Sequence, residues 1–172
     1  MNNTERRKII LEKLMNSEDP IKGTDLAQMF DISRQVIVQD IALLRAQGED
    51  IIATPQGYMI PFKSDNRIRK RVACKHKGYD DMKEELQIMV DYGATIIDVI
   101  VEHPLYGEII GMLNINHKRD LDDFMDKIVE KKAEPLSILT EGIHIHTIEI
   151  DSEENFKEMV KALNKKGYLI DN

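Results

Sequence analysis

Cysteine occurs once in the 172 residues, at Cys74. A single thiol excludes an internal disulfide framework and fits a reducing cytoplasm. Long apolar runs are also missing. The most apolar stretch, Ala94 to Val101, is interrupted by Asp98 and is far too short to span a bilayer. The opening residues, Met1-Asn2-Asn3-Thr4-Glu5-Arg6-Arg7, contain no apolar signal segment. The expected setting is therefore the cytoplasm, with no membrane partner. Basic excess is absent too: the formal net charge is −7, and residues 1–65 hold 8 Lys/Arg against 10 Asp/Glu. Any contact with DNA must come from local placement of charge. No Gly-rich phosphate loop is present, which argues against a kinase or ligase, and neither an internal repeat nor a low-complexity segment is seen. What is there, 42% hydrophobic and 32% charged residues, is the make-up of a soluble globular protein with room for one large domain or two small ones.

The stretch Glu141-Gly142-Ile143-His144-Ile145-His146-Thr147-Ile148-Glu149-Ile150 alternates β-branched and polar residues and reads as a strand. Side chains two apart share a face, so His144 and His146 project together, roughly 7 Å apart along the strand. Two imidazoles at that spacing can ligate one metal ion with little rearrangement. The opposite face, with Ile143, Ile145 and Thr147, suits packing against a helix. Two further segments supply candidate ligands. From Arg69 onward a strand pattern sets Val72, Cys74 and His76 on one face. Residues 80–92 then form a helix with Met82, Leu86 and Met89 as its buried stripe. Glu84 falls nearly opposite that stripe and reads as a solvated charge. Glu85 lies near its border and is better placed to reach inward.

The amino-terminal third reads as a DNA-binding unit. A helix over residues 4–16 is expected to bury Ile9, Ile10, Lys13 and Leu14. Thr24 is expected to cap a short helix carrying Leu26, Ala27 and Phe30. Asp31-Ile32 turn the chain, and Ser33 caps a helix running to about Ala46, with Ile37, Ile41 and Leu44 inward. Arg34, Gln35, Val38, Gln39 and Ala42 face the other way. Such a face suits the major groove: Arg pairs with guanine, Gln with adenine, and small apolar groups meet thymine methyls. Ser33 at the helix start can hold a phosphate. Strand-like pieces at 50–53 and 58–61, joined across Thr54-Pro55-Gln56-Gly57, complete a winged helix-turn-helix over residues 1–63.

A polar link, Lys63-Ser64-Asp65-Asn66, leads into a second domain over 67–172. Its first eleven residues hold six basic side chains and no acidic one. Lys75 and Lys77 read as protection of a strand edge; the arginines read either so or as a phosphate-facing patch. Beyond the 80–92 helix come a strand at 94–102, the turn His103-Pro104-Leu105-Tyr106-Gly107-Glu108, a strand at 109–115 and a helix at 120–131. The short piece 136–139, the His-Ile-His strand, a helix over 152–164 capped by Ser152 and a closing strand, Tyr168-Leu169-Ile170, follow. The fold class is α+β, with helices on one face of a mostly antiparallel sheet.

The helix Ser33-Arg34-Gln35-x-x-x-Gln39-Asp40-Ile41 resembles the helix-turn-helix of biotin-repressor and sugar-operon regulators. The segments Cys74-Lys75-His76, Val101 to Glu108 and Glu141 to Ile148 resemble the three-histidine (3H) domain. Together they resemble the niacin-responsive transcriptional repressors of bacterial NAD synthesis and niacin uptake, over essentially the whole chain. The resemblance implies metal ligands at His76, Glu85, His144 and His146, with Glu84 as the alternative to Glu85, and effector contacts at His103 and Tyr106. Zinc, nickel and ferrous iron all suit such a donor set. The implied partners are operator DNA, nicotinic acid as corepressor and a second copy of the chain, since two half-sites lie about 34 Å apart or a multiple of that. Two rival functions differ by observation. A direct metal sensor would bind DNA in step with metal alone. A metal-dependent hydrolase would need a general base, for which only Glu102 or Glu108 offers itself, and an oxyanion stabiliser, for which nothing does.

Overall fold

The computed structural model describes residues 2–61 and 66–170. Apart from Asn66, the expected polar link lies outside the described residues. The chain forms two compact units, Met1–Lys63 and Ser64–Asn172.

In the first unit, α1 (Asn3–Met15), α2 (Gly23–Met29) and α3 (Arg34–Ala46) precede a hairpin of β1 (Ile52–Thr54) and β2 (Gly57–Met59). Asn2 and Glu5 close a capping box that starts α1. The buried stripe of α1 is Arg6, Ile10 and Leu14, whereas Lys13 is exposed, contrary to expectation. Arg6 is buried because its Nε lies 2.6 Å from Oδ2 of Asp40, itself buried in α3. A charged pair thus sits where the spacing alone implies hydrocarbon. Around it Ile10, Leu14, Leu26, Ile37, Ile41 and Leu44 form one core. Thr24 is not the cap of α2. That helix begins two residues earlier than a Thr24 cap would place it, at Gly23 behind Lys22, with no side-chain cap.

The second unit is a four-stranded antiparallel sheet in the order β3-β6-β4-β5, with β3 at Ile68–Lys75, β4 at Thr95–His103, β5 at Gly107–Ile115 and β6 at Ile143–Ile150. Helices α4 (Tyr79–Asp91), α5 (Lys118–Lys131) and α6 (Glu153–Lys165) cover one face, with a 3-10 turn at Leu136–Thr140. Ser152 caps α6 by accepting a bond from Asn155 N at 3.1 Å. The expected closing strand is reduced to a single bridge between Leu169 and Cys74.

One face assignment is reversed from expectation. The helices pack on the side that carries His144, His146, Ile148 and Ile150; all four are buried, and both isoleucines are fully so. Each of those isoleucines contributes roughly 1.5–3 kcal/mol by burial. Ile143 is 45% exposed on the opposite face, and Ile145 is half-buried there. The histidines therefore project into the core side of the sheet, beneath the helices.

Candidate metal centre

Strand register assembles the centre. β3 and β6 run antiparallel with Cys74 opposite His144 and Val72 opposite His146, and His76 follows immediately after β3. Directly opposed residues share a face, so the histidines and Cys74 collect on the helix-covered side. Above them, α4 places Glu85 beside Met82, Leu86 and Met89 in one buried stripe. Glu85 is fully buried and is the hub of the cluster. Its Oε2 lies 2.6 Å from His76 Nε2 and 3.7 Å from His146 Nε2, and its Oε1 lies 3.2 Å from His144 Nε2. The rings of His144 stand 4.7 Å from His76 and 4.8 Å from His146, centroid to centroid. Cys74, Glu85 and His144 also offer ligand atoms that all lie within 4.8 Å of one another.

Two of the imidazoles are held in a fixed orientation from behind. His144 Nδ1 donates to the Gly142 carbonyl at 2.8 Å, and His146 Nδ1 donates to the Asp98 carbonyl at 2.7 Å. A bulge in β4 between Ile96 and Asp98 makes the second contact, and the Asp98 carboxylate also accepts the Thr147 N–H at 3.0 Å. With the protons on Nδ1, the Nε2 lone pairs face Glu85, which is the orientation metal-ligating histidines adopt. Gly142 has φ +96, and a Cβ there would stand 2.1 Å from the His76 carbonyl oxygen, so only glycine fits.

Lone pairs on several imidazoles directed at one buried carboxylate repel unless something positive lies among them. In the chain alone that charge must be protons. Burial opposes the charged form of Glu85, but His146, His144 and His76 outweigh it and hold its carboxyl well below the usual range. Burial likewise opposes a charged His144; the hydrogen bond and charge of Glu85, with the Gly142 carbonyl, outweigh it and raise its value. Burial, and then the charge of Glu85, push the Cys74 thiol up. A divalent cation would meet the same demand, and the donor types fit one. His76 Nδ1 is buried and has no hydrogen-bond partner among the described residues.

The remaining sequence candidates divide clearly. Glu84 turns away from the cluster, where the Tyr168 hydroxyl and the Lys166 ammonium bond to its carboxylate. His103 and Tyr106 lie in the β4–β5 turn, and Tyr106 is 72% exposed. His103 Nδ1 accepts the backbone N–H groups of Leu105 and Tyr106 at 3.2 and 3.3 Å, so that ring braces its own turn. Among the described residues, no bond or ring contact joins His103 or Tyr106 to the centre. On α3, Ser33, Arg34, Gln35 and Gln39 are exposed and Val38 is half-buried. Ser33 is the N-cap residue, but its hydroxyl makes no capping bond. Near β3, Arg67 pairs with Asp151, Arg69 with Glu149 and Lys70 with Glu153, at 2.9, 2.7 and 2.6 Å. Those basic groups are neutralised locally, which favours the edge-protection reading over a phosphate patch.

Residues 69–172 match the 3H domain family and residues 6–59 match a helix-turn-helix domain family. The chain is 43% identical over 167 residues to the probable transcription repressor NiaR of Thermotoga maritima, covering 97% of this chain and 94% of the relative. It is 39% identical over 168 residues to the transcription repressor NadR of Bacillus subtilis, covering 96% and 93%. Both relatives are named as transcription repressors, not as enzymes. Among the described residues, no helix is long and apolar enough to cross a membrane.

Proposed function

The chain belongs to the niacin-responsive transcription-repressor family, in which a helix-turn-helix domain precedes a 3H domain, and on that premise we propose that it represses genes of NAD synthesis and niacin uptake in response to nicotinic acid, as a metal-containing dimer. Membership makes it a DNA-binding repressor; the effector, the metal and the dimer are the parts proposed here. The observation that carries them is the set of imidazole Nε2 atoms directed at buried Glu85. His76, Glu85, His144 and His146 would hold zinc, nickel or ferrous iron, and Cys74 stands beside them. When bound, the ion would supply positive charge inside the core and a Lewis acid for a carboxylate or a ring nitrogen.

Adjacency to His76 directs the effector. A cavity of about 420 Å³ is lined by His76, Lys77, Gly78, Tyr79, Glu134 and Glu141 among others. Lys77 and the start of α4, which carries no side-chain cap, favour a carboxylate, against the opposing charge of Glu134 and Glu141. The His103–Tyr106 turn is the rival place, since an aromatic pair 5.1 Å apart could stack a pyridine ring on its outer side. Selection between two dimer arrangements follows from differential affinity: an effector that binds both equally shifts nothing. On α3, Ser33, Arg34, Gln35, Val38 and Gln39 are the proposed groove-facing residues.

Elemental analysis of the purified protein, nicotinate calorimetry and operator binding with and without nicotinate test this reading. Nicotinate binding should need metal and should weaken in Lys77→Ala, whereas weakening in His103→Ala and Tyr106→Ala alone would move the effector to the turn. Identical nicotinate binding after His76, Glu85, His144 and His146 are all changed to alanine would remove the metal from the mechanism. Operator affinity that tracks metal with no organic effector would make the protein a direct metal sensor.

A further inference from the structure

Cys74 is the only cysteine of the chain, and it is fully buried. A buried thiol ordinarily packs as a small hydrophobe, and Cys74 does border the hydrocarbon core of the second unit. Strand register gives it a second neighbourhood. On β3 it stands directly opposite His144 of β6, and His76 follows two residues later. The two segments thus set a Cys-x-His pair beside a His-x-His pair, with Glu85 supplied by α4. Ligand atoms of Cys74, Glu85 and His144 all lie within 4.8 Å of one another. A sulfur, an oxygen and a nitrogen bound to one tetrahedral ion would stand about 3.4–3.6 Å apart. The three atoms are therefore within about 1 Å of a shared coordination sphere, a distance that rotation about the Cys74 and Glu85 side-chain bonds can close.

Charge gives a reason for sulfur at this place. Three neutral imidazoles and the Glu85 carboxylate leave a divalent ion with one positive charge uncancelled. Inside a core such an excess is costly unless an anion answers it. Asp98, the other buried carboxylate of this unit among the described residues, is engaged by the Thr147 N–H at 3.0 Å. The Cys74 sulfur is less committed. It donates to the Val72 carbonyl at 4.0 Å, a long and weak contact, and the charge of Glu85 already acts on it.

We propose that Cys74 is a fifth ligand of the metal centre, joining His76, Glu85, His144 and His146, and that its sulfur fits the centre to thiophilic ions such as zinc. On ligation the S–H bond breaks, its proton passes to solvent and its electron pair forms the sulfur–metal bond. Thiolate and carboxylate together then cancel both charges of the ion. Soft sulfur favours zinc over manganese and other oxygen-seeking ions. The proposal rests on the metal-containing reading above and extends its donor set.

Cobalt(II) titration of the metal-free full chain, under argon, tests it. The parent should develop a sulfur-to-cobalt charge-transfer band that saturates together with the visible ligand-field bands, and with a single cysteine in the chain that band has one source. Cys74→Ser should keep the ligand-field bands and lose the charge-transfer band. Its zinc affinity should fall by about tenfold or more, while its manganese affinity stays within about threefold of the parent. X-ray absorption of the zinc-loaded parent needs no variant and should show a sulfur at about 2.3 Å. A cobalt complex without the charge-transfer band, a zinc shell of nitrogen and oxygen alone, or equal losses of zinc and manganese affinity in Cys74→Ser would overturn the assignment. Such a complex, if abolished by His144→Ala, would leave the metal reading intact. A parent chain that takes up no ion would overturn both.

Discussion

Replacing Gly142 with alanine should strike the centre without replacing any candidate ligand. Gly142 sits at φ +96, and its new Cβ would stand 2.1 Å from the carbonyl oxygen and 3.1 Å from the carbonyl carbon of His76. Both are backbone atoms and cannot swing aside. The same residue offers its carbonyl to His144 Nδ1 at 2.8 Å and to the His76 N–H at 3.4 Å. One methyl group therefore disturbs the orientation of two imidazoles at once. The left-handed backbone alone costs a side-chain-bearing residue roughly 1–2 kcal/mol. Loss of an orienting partner behind a ligand lowers metal affinity about 10–100-fold, which corresponds to about 1.4–2.7 kcal/mol. Gly93→Ala separates the two effects, since Gly93 has φ +81 but nothing within 4 Å of its would-be Cβ. Competition of zinc or nickel against a chromophoric chelator, with melting in a metal-free buffer, reads both. Gly142→Ala should lose metal affinity and stability, and Gly93→Ala stability only. Equal loss of affinity in the two variants, or none in Gly142→Ala, would refute the orienting role.

Further expectations follow from the same geometry. Asp40→Ala leaves Arg6, 10% exposed at its side chain, buried without its anion; denaturant unfolding should show a loss of about 3–5 kcal/mol, and a loss below about 1 kcal/mol would mean that water replaces the pair. In metal-free protein the raised value of His144 contributes stability below its ordinary 6.5 that is lost as pH rises through the raised value, and the depressed value of Glu85 contributes above 4.5 and is lost as pH falls through it. Melting temperature without metal should therefore peak between those limits and decline on the alkaline side. Metal-loaded protein should gain stabilisation as pH rises, because ligation requires neutral imidazoles; parallel pH curves with and without metal would sink that reasoning. Arg34→Ala should cost about 1–3 kcal/mol in operator affinity, concentrated at one base pair if the contact is bidentate. A gel-shift titration unaffected by Arg34→Ala and Gln35→Ala would show that another face of the helix reads DNA.

Much of the architecture was legible because it rests on short-range rules. Alternation along residues 143–150 specified β6, the 82, 86, 89 spacing specified α4, and the Ser33 start with Ile37, Ile41 and Leu44 specified α3. The same spacing separated Glu85 from Glu84, as the burial of Glu85 and the outward turn of Glu84 show. Where expectation failed, a distant partner decided. Lys13 was assigned to the buried stripe of α1, but the stripe passes through Arg6, whose burial depends on Asp40 thirty-four residues away. The face of β6 that packs on helices was assigned to Ile143 and Ile145, because isoleucine is ordinarily the buried partner of histidine. The orienting residues Gly142 and Asp98 were missed as such. Their sequence signals, a glycine just before the His-Ile-His strand and an aspartate inside the most apolar run, were visible but had no local meaning.

By itself, the sequence determined the order of the elements, the two-part organisation, the residues of α3 and the side-chain types gathered around positions 76, 85, 144 and 146. Periodicity and composition carry that information, since each is a property of neighbours along the chain. Only tertiary structure decided that Glu85 would lie 2.6 Å from one imidazole and within 3.7 Å of two more, that Cys74 would join them, and that the helices would settle on the histidine side of the sheet. Those outcomes depend on strand register and on which side the helices settle, and both are fixed by the summed burial of the whole core.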